Sequence, residues 1–205
     1  MDDRETIASI DELHRRLEPC RLCVAAGIRV ESMPVFSRLH RADAILVGQA
    51  PGAKEAVDLR PFTGPAGRRL RAWLEPAGLG TEEAFYGRLY IAAVAKCFPG
   101  KRPRGGDVRP SPAMVRTCRP WLLRELALVE APLVVAVGTL ALAELAPGVA
   151  LEDAVGAELR LDDGRPLVSL PHPSGANPWP HLPGNAPRLR RSIDLVCEHL
   201  TRRSG

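Results

Sequence analysis

PLVVAVGTLALAEL, residues 132–145, decides how the rest of the chain is read. Residues 133–137 form a short apolar run without polar alternation, the mark of a strand buried on both faces, and Gly138 turns it into a helix-forming segment. The same grammar recurs. DAILVG, residues 43–48, ends in the turn Gln49-Ala50-Pro51-Gly52; LYIAAVAKC, residues 89–97, has small side chains in its middle; and LVSL, residues 167–170, follows Pro166. Helical patterns lie between and around them. Residues 6–17 repeat Ile7, Ile10, Leu13 and Leu17 up to Pro19. A helix starting at Pro65 turns Leu70, Trp73 and Leu74 inward and leaves at Gly78. Residues 113–129 align Met114, Leu122, Leu126 and Val129, and residues 189–200 align Leu189, Ile193, Val196, Cys197 and Leu200. Residues 51–65 and 98–112 read as long loops, and residues 147–166 as a polar, glycine-marked hairpin. Strands alternating with helices predict an α/β fold with a parallel sheet covered on both sides, its sites gathered beyond the carboxyl ends of the strands.

At 205 residues the chain is expected to form one domain, residues 1–205, with an N-terminal helix and a cysteine-bearing segment at residues 1–23. Its 28 basic residues exceed its 24 acidic ones for a net charge of +4, and all but Lys54, Lys96 and Lys101 are arginines. That balance permits a polyanionic partner without demanding one, and guanidinium groups suit phosphate. The charged start has no signal-peptide core and no window holds 18 continuous apolar residues, so a cytoplasmic protein without a membrane segment is expected. In such a reducing setting five cysteines point to ligands or a redox pair before disulfides.

Cys20 and Cys23 form a Cys-x-x-Cys after the first helix, Cys97 ends a strand, and Cys118 lies early in a helix. Four thiolates suit a [4Fe-4S] cluster or a structural zinc equally, and two buried thiols beside a redox Cys-x-x-Cys is the alternative. Cys197 keeps register with a helical core face and reads as packing. The loop at residues 98–112, with Lys96 before it, gathers Lys101, Arg102, Arg104 and Arg109 against a single acid, Asp107. Its glycines and prolines would present these charges to a phosphate backbone or simply to solvent. Arg68, Arg69 and Arg71 follow a helix start near Ala66, a second candidate anion site. Phe62 sits in a polar loop and could stack on a flat ligand or cap the core. His172, in VSLPHPSGANPW at residues 168–179, occupies the loop after the last strand, where sites of this fold class collect. GQAPG lacks dinucleotide-binding spacing, and no Gly-Lys-Ser/Thr phosphate loop exists.

Taken together, Gly48-Gln49-Ala50-Pro51-Gly52, Pro61-Phe62-Thr63-Gly64, the strand ending in Ala92-Ala93-Val94-Ala95-Lys96-Cys97, and His172-Pro173 resemble the uracil-DNA glycosylase superfamily. The similarity is greatest to its iron–sulfur branch in bacteria and archaea, and the cysteines fall in that branch's order; the resemblance spans about residues 17–200. It implies a three-layer α/β/α domain around a central four-stranded parallel sheet, and hydrolysis of the N-glycosidic bond of uracil or another deaminated base in DNA. It implies substrate contacts from Gln49, Ala50, Pro51, Gly52, Phe62, Ala93 and His172, with Phe62 stacking on the base and His172 donating to the pyrimidine O2. DNA would be held by Gly64, Gly67, Arg68, Lys101, Arg102 and Arg104 and by Ser174, Gly175 and Asn177. Cys20, Cys23, Cys97 and Cys118 would hold a [4Fe-4S] cluster bracing the basic loop, structural zinc being the alternative. A monomer acting on single-stranded or lesion-bearing DNA is expected.

Two departures bear on chemistry. The family's Glu is replaced by Gln49, which cannot act as a general base but could position water, and its strand Asn is replaced by Ala93. The Asp that other branches place after a Gly-Gln pair is Ala50 here. Glu55 and Asp58 are candidate substitutes. Departure of the base can still be driven by electrostatic stabilisation, so His172 and Gln49 are the catalytic candidates. The competing expectation is a catalytically weak or silent protein that binds damaged DNA or abasic sites.

Overall fold

The computed structural model describes residues 8–103 and 105–201. Its elements in chain order are α1 (Ile10–Leu17), α2 (Leu22–Ala25), β1 (Ala44–Gly48), α3 (Ala53–Asp58), α4 (Pro65–Leu74), α5 (Glu82–Arg88), β2 (Leu89–Ala93), α6 (Pro112–Leu128), β3 (Val134–Val137), α7 (Thr139–Leu145), α8 (Leu151–Ala154), β4 (Glu158–Arg160), β5 (Pro166–Leu170) and α9 (Asn185–Thr201). They form a three-layer α/β/α architecture around a sheet of order β2-β1-β3-β5-β4. The first four strands in that order are parallel. β4 pairs antiparallel with β5, adding an edge strand to the expected four; residues 147–166 thus hold α8 and β4 in place of the expected self-contained hairpin, β4 taking the last parallel strand as its partner. Its brevity and its exposed Glu158 and Arg160 suit an edge.

Every residue of β1 and β3 is buried, as an unalternating apolar strand requires when helices cover both faces. Caps set several helix starts. Ser9, Thr81 and Ser111 each accept from the backbone N–H three residues on, at 3.2 Å. Pro65 and Pro112 occupy first-turn positions where a missing N–H costs nothing. The sheet core is closed on α9 by Leu189, Ile193, Val196 and Leu200, the predicted face, with Cys197 partly buried against it. Two further expectations change. Residues 51–65 contain α3, and the strand expected over residues 89–97 ends at Ala93, after which Val94 and Ala95 donate to the Gly48 and Gln49 carbonyls at 2.9 and 3.0 Å. Ile7 lies outside the described residues.

A buried polar chain crosses the interior from α1 to β2. His14 Nε2 lies 3.1 Å from the Tyr90 hydroxyl, which donates to Glu125 Oε1 at 3.1 Å, and the Lys96 ammonium pairs with Glu125 while donating to the Ala93 carbonyl at 2.6 Å. Lys96 is 1 % exposed and Glu125 not at all. Buried charges persist only when paired and hydrogen-bonded, and here both conditions are met. Lys96 is therefore a brace under the end of β2, not one of the solvent-facing cations of the basic loop.

Candidate active site

The strand order places β1 and β3 side by side, and the chain leaves them toward opposite edges of the sheet. A crevice forms beyond their carboxyl ends for that reason. It is a cleft of about 1030 Å3 lined by Gln49, Ala50, Pro51 and Gly52 after β1, Ala92 and Ala93 at the end of β2, Gly138 and Thr139 after β3, and His172 after β5. Phe62, Gly64, Lys101, Arg102, Ser174, Gly175 and Asn177 complete much of its wall.

The His172 ring is oriented by its own loop. Its Nδ1 accepts the Ser174 N–H at 3.2 Å, which leaves the proton of the neutral ring on Nε2. Asn177 Nδ2 donates to the His172 carbonyl at 2.8 Å, and its Oδ1 accepts the Trp179 N–H at 3.2 Å, so Asn177 stiffens the loop. Burial, then the Arg109 guanidinium, hold the imidazole below its ordinary pKa and thus neutral at pH 7. Gly138 has φ of +89°, and a Cβ there would sit 3.2 Å from the His172 Cβ; glycine both permits the backbone and admits the histidine.

Phe62 lines the same cleft. Its backbone has φ of +53°, a left-handed conformation unusual for an aromatic residue, and Leu59 at +50° shares that property. The ring packs edge-on to Phe85 with centroids 6.4 Å apart and lies over Gly48, whose added Cβ would meet the ring Cζ at 3.1 Å. Its carbonyl rests against Gly67 and accepts from Arg71 at 3.4 Å. One side of Phe62 thus packs against the core and the other lines the cleft.

The remaining candidates divide by location. Gly67 is buried behind Phe62, Arg68 is exposed and outside the cleft lining, and Arg71 turns inward to pair with Glu82 at 3.1 Å. Arg104 lies outside the described residues. Glu55 is buried, its two oxygens accepting the Gly52 and Gly64 N–H groups at 3.1 and 2.8 Å, so it fastens the turn after β1 to the start of α4. Asp58 is exposed, paired with Lys54 at 2.8 Å and absent from the cleft lining. Ala50 packs against the small second core of Cys23, Ala95, Cys97 and Met114. Sequence patterns did not single out Arg109 as the neighbour of His172, nor Asp107 and Trp179 as cleft residues; only the odd acid in a basic loop hinted at Asp107.

Behind this second core the four cysteines of interest, Cys20, Cys23, Cys97 and Cys118, line one apolar cavity with Leu17, Val30, Pro34 and Trp121. All four are unpaired thiols. Burial pushes the Cys97 thiol up to about 12 and the Cys118 thiol to about 11. The Lys96 N–H reaches Cys118 Sγ at 3.2 Å, and the buried Trp121 indole N–H has no acceptor among the described residues. An all-sulfur donor set with N–H groups nearby fits a soft-metal group, because thiolates are soft ligands and N–H donors stabilise their charge. Among the described residues, no three His, Cys, Asp or Glu side chains gather as a single-ion site.

Comparison with known proteins places these features in context. The family model described as the Uracil DNA glycosylase superfamily matches residues 34–195. The chain is 32% identical over 133 residues to a type-4 uracil-DNA glycosylase of Archaeoglobus fulgidus, covering 65% of this chain and 61% of that protein. It is 29% identical over 161 residues to that of Thermotoga maritima, covering 77% and 79%, and 27% identical over 129 residues to that of Pyrobaculum aerophilum, covering 63% and 60%. The chain thus spans about 60% of the archaeal relatives. Cys20 and Cys23 precede the residues matched by the family model. No helix among the described residues is long and apolar enough to cross a membrane.

Proposed function

The chain belongs to the uracil DNA glycosylase superfamily, and from that premise we propose that it is a monofunctional DNA glycosylase releasing uracil or another deaminated base from single-stranded or lesion-bearing DNA. The observation that carries the proposal is that His172 and Phe62 line one cleft beyond the carboxyl ends of the parallel strands. A neutral imidazole with its proton on Nε2 is suited to donate to an oxygen on which negative charge grows as the base departs, a stabilisation worth most where water is excluded. Phe62 would offer a π face to an extruded base, and Lys101, Arg102 and residues 174–177, which line the same cleft, would contact the flanking phosphates. Ala93 brings neither donor nor acceptor to the base edge, which supports a broader choice of base than uracil alone. The unpairing cost of a few kcal/mol favours single strands and mismatches.

Cys20, Cys23, Cys97 and Cys118 are assigned to a [4Fe-4S] cluster, whose contribution when bound is to cross-link the N-terminal segment to the base of the loop at residues 98–112. Iron and sulfide content together with a brown colour and broad visible absorption test this; a colourless, zinc-loaded protein refutes it.

The decisive experiment incubates the protein with single- and double-stranded oligonucleotides carrying uracil, hypoxanthine or xanthine and assays abasic sites. Release is expected, fastest in single strands, and His172→Ala is expected to lower it by about 100-fold or more while sparing DNA affinity. Parental turnover in that variant refutes the role of His172. Tight binding to abasic or damaged DNA with no release of any base favours the silent binding protein instead.

A further inference from the structure

If the cleft is that of a glycosylase, one role has no owner in the turn after β1: Gln49 and Ala50 offer no base to the attacking water. Three acidic side chains line the cleft, Glu55, Asp107 and Glu152. Both oxygens of Glu55 are engaged by the Gly52 and Gly64 N–H groups, so it is a fastening of the backbone. Glu152, in the first turn of α8, and Asp107 are both exposed, and what separates them is the turn after β1, beside which only Asp107 of the two places an oxygen. Asp107 comes from the basic loop, yet it folds against the very turn that lacks the acid. A Cβ added to Gly52 would lie 2.8 Å from Asp107 Oδ2, and 2.8 Å from Glu55 Oε2. Glycine at position 52 leaves the room that both carboxylates occupy. The loop is held in that position by a bridge between Lys101 and Asp107 and by the Val108 N–H donating to the Gly100 carbonyl at 2.8 Å.

We propose that Asp107 is the water-activating carboxylate of this chain, supplied from the basic loop in place of the acid missing after β1; the proposal rests on the glycosylase reading above. As the C1′–N bond breaks, its electron pair leaves with the base, whose O2 faces His172. The water oxygen bonds to C1′, and one of its protons passes to the Asp107 carboxylate and on to solvent or to the departing base anion. The products are the free base and an abasic sugar. Partial desolvation of the exposed Asp107 against this turn, with Lys101 opposing it and Glu55 adding to it, sets its carboxyl above the usual range, the direction that makes a carboxylate a better proton acceptor. In this arrangement Glu55 has a second use: its fixed charge faces the same glycine and raises the basicity of its neighbour.

The test is single-turnover release of uracil from a single-stranded oligonucleotide by the full chain. Asp107→Asn, which keeps the size of the side chain, is expected to slow release by about 100-fold or more. Affinity for the same oligonucleotide with thymine in place of uracil is expected to hold or tighten, since a negative charge is lost. The parental rate should fall as pH drops through the raised carboxyl range, that limb should vanish in Asp107→Asn, and Asp107→Glu should restore part of the rate. Glu152→Gln should stay within about threefold of the parent. An Asp107→Asn rate within about threefold of the parent overturns the assignment while leaving the glycosylase reading intact, as does a loss confined to Glu152→Gln or a loss matched by weaker DNA binding. A parent that releases no base from any of the three lesions overturns the glycosylase reading, and the role of Asp107 with it.

Discussion

A single methyl group added at Gly67 tests how the cleft is built. A Cβ there would lie 1.7 Å from the Phe62 carbonyl oxygen and 2.4 Å from its carbonyl carbon, where carbon and oxygen ordinarily approach no nearer than about 3.3 Å. The backbones of α4 and of the Phe62 loop must separate by roughly 1.6 Å to admit it. Neither side yields easily. The helix is anchored by Leu70 and Leu74, both fully buried, and Phe62 is held in the left-handed region with its ring over Gly48 and its carbonyl facing Arg71. Alanine in a helix ordinarily gains up to about 1 kcal/mol over glycine, while forced overpacking costs about 1–3 kcal/mol or somewhat more. A net loss of up to about 2 kcal/mol follows, or a fall of up to roughly 8 °C in Tm for a chain of this size. The shift also carries the Phe62 ring away from its seat, and a 1 Å misplacement can cost about 100-fold in rate. Gly87→Ala is the matched control: it lies in α5, and a Cβ there meets nothing within 4 Å. It should leave base release unchanged and raise stability by about 0.5–1 kcal/mol. Thermal melts and single-turnover release from a uracil oligonucleotide read both effects. A Gly67→Ala protein that melts at or above the parental Tm and releases base at the parental rate would refute the reasoning that this backbone contact seats the ring.

Other consequences follow from named groups. His14 is 5 % exposed, and burial, then Arg38 and His40, lower its pKa to about 4. A histidine held neutral contributes stability that is present above its unfolded pKa of about 6.5 and lost as pH falls toward the folded value, about 1–2 kcal/mol between pH 7 and pH 5. Urea unfolding at the two pH values should show that loss in the parent and a smaller one in His14→Gln; equal losses contradict it. Lys101 and Arg102 are exposed at the cleft wall. Neutralising both should flatten the log–log salt dependence of single-strand binding by about 1.4, and an unchanged slope in a fluorescence-anisotropy titration would place the phosphates elsewhere.

Much of the architecture was legible because its signals are local. Residues 133–137 and 44–47 are apolar without alternation and could only be strands buried on both faces, and the spacing of Leu189, Ile193, Val196 and Leu200 admits one helical face. What escaped was short or polar. α3 and α5 carry few apolar residues, and β4 has only Leu159 between Glu158 and Arg160, too little periodicity to announce an edge strand. In the site, position along the chain located His172, Phe62 and the turn after β1, since each stands at the carboxyl end of a strand or in the loop beside it. Charge misled at Lys96 and Arg71, because a cation in a basic stretch reads alike whether it faces solvent or a buried acid. Glu125 and Glu82 lie 29 and 11 residues away.

The amino-acid order alone determined the layered α/β plan, the end of the sheet at which the cleft lies, and several of the residues that line it, because burial period and turn-forming residues are properties of neighbours in the chain. Only the tertiary structure decided that Glu55 ties backbone, that Gly67 seats an aromatic ring, that Lys96 braces a strand end, and that Asp107 reaches the turn after β1. Those outcomes depend on which distant segments meet across the sheet, and Coulomb interaction, desolvation and steric contact act on separation in space, which the spacing of residues along a chain does not specify.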